Sequence, residues 1–330
     1  MKLILGSLLI VFLLFSCSND NQENNVVIDD PLEFLNSEIS KHPEDYKLYA
    51  QRASIYLEQG KLDPALRDLN IAINLKPDDS DLYVILADIY FIMGNKENSI
   101  SSLEKSISLD SDNELPLVKL SELYLLTGEY QKAQLYADRA LLINLNIAEP
   151  YYFKAMAMLE MGDTTNSIIN LKIASNIDTQ NFAANMQLGI IYYTINDSIS
   201  EVYLKKAIAN QPDNSSALYY LGMLYQDNNK FDKALNVYTD LINNTNSKKR
   251  AYYNSAYIYL VELNDYERAE EMFLEAIAID PNFVEAVYNL GRTYEAQSNY
   301  NMARQYYEKA LIILPNYPLA IQGLNRLDQE

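Results

Sequence analysis

Residues 46–79 read YKLYAQRASIYLEQGKLDPALRDLNIAINLKPDD, and residues 80–113 read SDLYVILADIYFIMGNKENSISSLEKSISLDSDN. Laid one above the other, they place Ala53 over Ala87, Tyr56 over Tyr90, Gly60 over Gly94, Ala65 over Ser99 and Ala72 over Ser106. The register continues through 114–147, 148–181, 182–214, 215–248, 249–283 and 284–317. The fifth copy is one residue short and the seventh one residue long. Both changes fall between two helices, where a loop absorbs them cheaply. A fixed period of this length marks a repeat array, which grows in one dimension without a single central core.

Residue size within the period predicts the packing. Position 8 holds Ala53, Ala87, Ser121, Ala155, Gly189, Gly222, Ala256 and Gly291, and position 20 holds only Ala or Ser. Position 27 is small in every copy except at Leu241. Small side chains there let the two helices of a copy cross closely. Position 11 is Tyr in seven copies and Met158 in the fourth, filling the space beside the small residues. Positions 4, 7, 8 and 11 share one helical face. Gly60, Gly94, Gly128 and Gly162 end the first helix of the first four copies, where a left-handed cap is expected. Pro77, Pro212, Pro281 and Pro315 follow second helices and stop them. No alternating strand pattern competes.

These positions resemble the tetratricopeptide repeat family. The resemblance implies an all-α, right-handed superhelical solenoid of about eight helix-turn-helix repeats over 46–317. Residues 31–45 read as a helix before the first repeat, and 318–330, with Leu319, Ile321, Leu324 and Leu327, as a helix capping the last one.

The beginning of the chain carries a different signal. Lys2 precedes a short apolar run that ends at Cys17. The run is too short to span a bilayer comfortably as a helix and reads as a secretory signal over 1–16. Leu14-Phe15-Ser16-Cys17 resembles the bacterial lipoprotein cleavage box, although Phe15 departs from the small or branched residue usual there. The resemblance implies a lipidated Cys17 and, with Ser18 after it, the outer membrane of a Gram-negative cell. A plain cleaved signal with an incidental cysteine is the alternative. Residues 17–30, rich in Asn and Asp, read as a disordered tether.

Composition excludes several function classes. The chain has 45 acidic and 26 basic residues, a net charge of −19, which repels nucleic-acid phosphates and anionic bilayers. One cysteine and one histidine allow neither an internal disulfide nor a zinc site. His42 has no identifiable catalytic partner. The Asp78, Asp79, Asp81 and Asp110, Asp112 clusters lack calcium-loop spacing and read as turns and helix caps. No phosphate-binding glycine loop or nucleophile elbow is present. No enzyme, cofactor, metal or small-molecule substrate is expected.

The family resemblance further implies that positions 2, 5, 9 and 12 of the first helices line a concave groove. In the fourth to eighth copies these positions supply Tyr152, Met156, Met186, Ile190, Tyr193, Tyr219, Met223, Tyr253, Tyr257, Tyr288 and Arg292. Large apolar groups not needed for helix crossing mark an interaction surface, here for envelope or secreted proteins and peptides. The competing reading has the superhelix or the C-terminal helix bury these rings. The Lys, Arg and Asn clamp that some family members place at positions 5 and 9 for a terminal carboxylate is missing. Two other readings stand beside the scaffold: a carbohydrate-binding surface, and an enzyme with acidic residues such as Asp88 and Glu122 on the concave face.

Overall fold

The computed structural model describes residues 30–329. The signal segment, Cys17 and the tether up to residue 29 lie outside the described residues. The described chain is all-helical and divides into two compact units between Asn95 and Lys96, in the turn inside the second repeat. No described helix is long and apolar enough to cross a membrane.

The first unit holds α1 (Pro31–Lys41), α2 (Tyr46–Glu58), α3 (Leu62–Leu75) and α4 (Ser80–Ile92). Its core gathers Tyr49, Ala53, Ala65, Leu69, Ala72, Leu82 and Ile89. Arg52 on α2 forks onto Asp68 on α3, with Nε and Nη2 donating at 2.6 and 2.7 Å. The acidic clusters act locally: Asp79 accepts from the Asp81 N–H at 3.1 Å, and Asp78 pairs with Lys76 at 2.9 Å.

The second unit begins with α5 (Lys96–Leu109), α6 (Leu115–Leu126), α7 (Tyr130–Ile143), α8 (Glu149–Glu160) and α9 (Thr164–Ile177). It continues with α10 (Phe182–Thr194), α11 (Ser200–Asn210), α12 (Ser215–Asp227), α13 (Phe231–Asn244) and α14 (Lys249–Val261). It ends with α15 (Tyr266–Ile279), α16 (Val284–Ala296), α17 (Tyr300–Ile313) and α18 (Pro318–Leu327). Consecutive helices pack as hairpins from α6/α7 to α16/α17, and each hairpin rests on the next. First helices also touch first helices, α6 on α8, α10 on α12 and α14 on α16, which lines them along one face of this unit.

The small positions do what their size predicts. A Cβ added to Gly189 would meet Leu204 Cδ2 at 2.7 Å, and one added to Gly222 would meet Tyr238 Cε1 at 2.3 Å. At Gly291 the obstruction is Tyr307, at 2.8 Å. At these three glycines the side chain at position 24 fills the space a Cβ would take. Tyr238 and Tyr307 are fully buried against glycines, whereas Leu171 and Phe273 are fully buried in hairpins that carry Ala155 and Ala256 at position 8. Serines among the small residues also bond across the crossing. Ser121 donates to the Ala133 carbonyl and Ser200 to the Gly189 carbonyl, each at 2.8 Å.

The tyrosines of position 11 join one repeat to the next. Tyr225 donates to Glu201 at 2.9 Å and Tyr294 to Glu270 at 2.8 Å, each reaching the second helix of the preceding repeat. Three position 11 rings stack on a tyrosine in the same hairpin, Tyr192 on Tyr203 and, with centroids 5.4 Å apart, Tyr124 on Tyr136 and Tyr294 on Tyr306. Position 11 supplies seven of the 28 tyrosines, each an apolar ring with a polar tip.

The left-handed turn is wider than the glycines announce. Gly60, Gly94, Gly128 and Gly162 have φ of 70 to 85°, and Asn196, Asn229, Asn264 and Ser298 take the same region in the last four repeats. In each turn a backbone N–H reaches back to the position 11 carbonyl, for example Lys61 to Tyr56 and Asn299 to Tyr294 at 2.8 Å. Asn is the commonest replacement for Gly there because its short amide tolerates this backbone.

The C-terminal helix α18 packs on α17 and α16. Ala320 and Gly323 are buried, and Leu324 and Leu327 sit against the core, while Leu319 and Ile321 stay exposed. Arg326 grips Glu295 on α16 with two bonds of 2.8 Å, and Tyr307 donates to the same carboxylate.

Two outcomes follow from this packing. Gly222→Ala forces a methyl into a buried ring, so its urea midpoint falls by the equivalent of about 1–3 kcal/mol. Tyr238→Leu added to it gives less than the sum of the two losses, because the partner of the clash is gone. Glu295 is held below the usual carboxylate range, first by its bond from Arg326. A lowered native pKa contributes stability above the unfolded value and loses it as pH falls. The stability gap between wild type and Glu295→Gln is therefore widest at neutral pH and closes below about pH 4, read by urea titration at each pH.

Candidate partner-binding face

The first helices of the second unit carry the residues expected to line a groove, but not one of them stands fully exposed. Met186 and Tyr288, expected at the groove, are core residues, at 9% and 8% exposure. Met186 belongs to the cluster around Leu204 and Tyr238, and Tyr288 packs against Tyr307 and Tyr317 with centroids 5.6 Å away. Met186 shares its cluster with Leu218 and Leu221 of the next repeat, whereas the rings on Tyr288 come from its own repeat; position number alone reveals neither. Tyr152, Met156, Ile190, Tyr193, Tyr219, Met223, Tyr253, Tyr257 and Arg292 are half-buried.

Two of the half-buried rings, Tyr193 and Tyr253, are held both by their hydroxyls and by ring contacts. Tyr193 donates to Asp227 Oδ2 at 2.7 Å, and its ring meets Tyr220 edge-on at 5.7 Å. Tyr220 meets Tyr219 in the same way at 6.0 Å. Burial together with the Asp227 carboxylate pushes the Tyr193 phenol far up. Tyr253 packs on Phe273, Phe283 and Tyr257, and burial pushes its phenol up to about 12. Burial also raises the Tyr152 phenol. These hydroxyls remain neutral at physiological pH and act as hydrogen-bonding groups.

Sequence reasoning missed the polar side chains that hold this face. Asn254 donates to Tyr238 Oη at 3.1 Å and approaches Met223 Sδ at 3.3 Å. Asn289 donates to Tyr253 Oη at 3.1 Å and accepts from Arg292 Nη1 at 3.0 Å. Both asparagines are buried, at 8% and 4% exposure. They occupy position 6 of consecutive repeats, and an amide recurring there beside two tyrosine positions was the available signal. The most exposed large apolar side chains lie elsewhere, on second helices: Leu142 on α7 at 87% and Ile312 on α17 at 81%.

Several carboxylates of the second unit are tied to cations. Glu129 is held down to about 2 by Lys132 and Lys96, and Glu201 is lowered by Lys205. Asp88 lies in the first unit and Glu122 in the second. Among the described residues, no three His, Cys, Asp or Glu side chains group as a metal site.

Comparison with known proteins matches these repeats. Models described as tetratricopeptide repeat match residues 46–79, 80–113, 203–236, 221–282 and 258–318, together more than half of the chain. A TPR repeat-containing protein of Methanocaldococcus jannaschii, MJ1428, is 26% identical over 215 residues, which cover 61% of this chain but only 37% of that protein. The photosystem I assembly protein Ycf3 of Acaryochloris marina is 26% identical over 144 residues, 38% of this chain and 86% of that one. The crystal structure of the C-terminal part of a TPR repeat-containing protein from Cytophaga hutchinsonii superposes with a TM-score of 0.63 at 17% identity. That match covers 72% of this chain and 98% of the other, and it shows a shared fold. Both the repeat register and these matches place the chain in the tetratricopeptide repeat family.

Proposed function

We propose that this chain is a scaffold that holds partner polypeptides against the first-helix face of its second unit, tethered through a lipidated Cys17 to the outer membrane of a Gram-negative envelope. Tetratricopeptide repeats are typically protein-interaction scaffolds, and that coarse role follows from family membership. The observation that carries the finer reading is the row of half-buried rings from Tyr152 to Tyr257. In it the Tyr193 and Tyr253 hydroxyls are bonded to Asp227 and Asn289, and neighbouring rings pack against both. A partner that covers them loses little further rotamer freedom, so most of the buried area counts toward affinity. Met156 and Met223 beside them adapt to partners of differing shape.

Charge supports a protein partner over nucleic acid, since a net −19 repels phosphate. A scaffold also fits the carboxylates better than catalysis does. A general acid at neutral pH needs its pKa raised, whereas Glu129, Glu201 and Glu295 are all lowered by neighbouring cations. The tether rests on the Leu-Phe-Ser-Cys run at the end of the apolar segment. Two or more acyl chains give stable anchoring where one is marginal.

A photoreactive benzoylphenylalanine at Tyr257 captures a discrete set of polypeptides in intact cells, identified by mass spectrometry. The same group at Leu142 on the outer side of α7 does not capture that set. Equal capture from both positions, or none from Tyr257, overturns the groove. For the tether, Cys17→Ser moves the chain out of the membrane fraction, and the mature wild-type terminus is an acylated cysteine. A soluble, unacylated terminus refutes the anchor and leaves the groove untouched.

A further inference from the structure

Residues 241–261 contain no Asp or Glu, in a chain with 45 of them, and this stretch carries Lys248, Lys249 and Arg250 in succession. The local sign of charge is thus opposite to that of the molecule. The three cations line a cavity of about 460 Å³ with Ser215, Ser216, Tyr219 and Tyr220 of α12. A volume of this order suits a few side chains of a ligand.

The cations differ in what they do. Lys249 is neutralised by Asp280 at 2.7 Å and lies 5.0 Å from the centre of the Phe283 ring. Its role is structural: it ties α14 to the end of α15. Lys248 and Arg250 have no carboxylate within 4 Å among the described residues. The Arg250 guanidinium lies 5.7 Å from the centre of the Tyr219 ring. Stacking on a ring leaves the in-plane N–H donors of a guanidinium available to an acceptor. Helix polarity adds to this. Lys248 is the N-cap of α14, and no side chain caps that helix, whereas Asn214 caps α12 by accepting from Ser216 and Ala217. The uncapped first turn brings the positive end of the α14 dipole to the same cavity. The cavity therefore combines two unneutralised cations, an open helix start and hydroxyls beside aromatic rings.

We propose that this cavity binds a carboxylate of an acidic peptide segment, held between Lys248 and Arg250, with a neighbouring apolar side chain against Tyr219 and Tyr220. The proposal deepens the scaffold reading and rests on it, because Tyr219 belongs both to the first-helix face and to the cavity wall. It specifies the partner's chemistry: acidic residues interleaved with apolar ones. The cations stand at the last position of one repeat and the first two of the next, away from positions 5 and 9.

The test uses the protein and fluorescein-labelled hexapeptides in polarisation titrations. An amidated peptide of alternating glutamate and leucine binds about tenfold tighter than its glutamine and lysine counterparts, as charge-assisted contacts require. That advantage disappears in Lys248→Gln/Arg250→Gln and persists in Lys248→Arg/Arg250→Lys, with circular dichroism confirming that both fold. It also weakens as salt rises, through screening. A glutamine-leucine peptide with a free C-terminus separates the sources of the carboxylate: binding as tight as the glutamate peptide assigns the chain end, weaker binding assigns side chains. Equal affinity for all peptides, an unchanged double glutamine variant, or no binding up to about 1 mM overturns the site. Tyr257→Ser distinguishes the two readings. A loss shared equally by the glutamate and glutamine peptides reports on the groove, and a charge advantage that survives it belongs to the cavity.

Discussion

The close crossing of two helices within each hairpin is the constraint on which the second unit depends. Where position 8 is Gly222, the Tyr238 ring lies where a methyl would be, with its hydroxyl bonded to Gln226 at 3.0 Å and to Asn254. A buried tyrosine needs both the space and a partner for its oxygen. The glycine supplies the first, and the next repeat supplies the second through Asn254. One packing event thus fixes the distance within a hairpin and helps set its neighbour. Because interiors are close-packed, a shift of one hairpin passes to the next one.

That coupling explains why the fold was legible and the face only partly so. Small residues at positions 8 and 20 are required by backbone approach inside one repeat, so they recur and can be read by eye. The glycine turns were legible for the same reason in the first four repeats. Asn196, Asn229, Asn264 and Ser298 hid the same turn in the last four, because asparagine and serine also occur in many other contexts. The burial of Met186 depends on Leu218 and Leu221 of the next repeat, and that of Tyr288 on the rings of Tyr307 and Tyr317, relations that position number does not encode. The lateral bonds of Asn254 and Asn289 are of this second kind as well.

Electrostatics follow a similar division. Within the acidic excess several carboxylates are locally pinned, Glu129 by Lys96 and Lys132, Glu201 by Lys205 and Lys230, Glu295 by Arg326. Such pairs at half-exposed sites contribute little to stability but fix side chains and hold carboxylates ionised. Lys248 and Arg250 are the contrast: their cavity wall offers hydroxyls and rings in place of counter-charges. The distinction matters because a cation already paired must give up its partner to bind an anion, and an unpaired one need only lose water.

The polar ties along the first-helix face bear on what such a face can recognise. A flexible apolar surface would collapse on itself or order only on contact, at a cost in entropy. Here Asp227 and Asn289 hold Tyr193 and Tyr253 by their hydroxyls, and Phe273 and Phe283 pack against the Tyr253 ring. The rings are therefore placed before any ligand arrives. On the proposed scaffold reading, a preplaced row of half-buried rings would reward apolar side chains that match its spacing, and the cations at its margin would add a sign preference. Shape and charge would then be read by different residues, so each could change without dismantling the crossings that keep the helices in place.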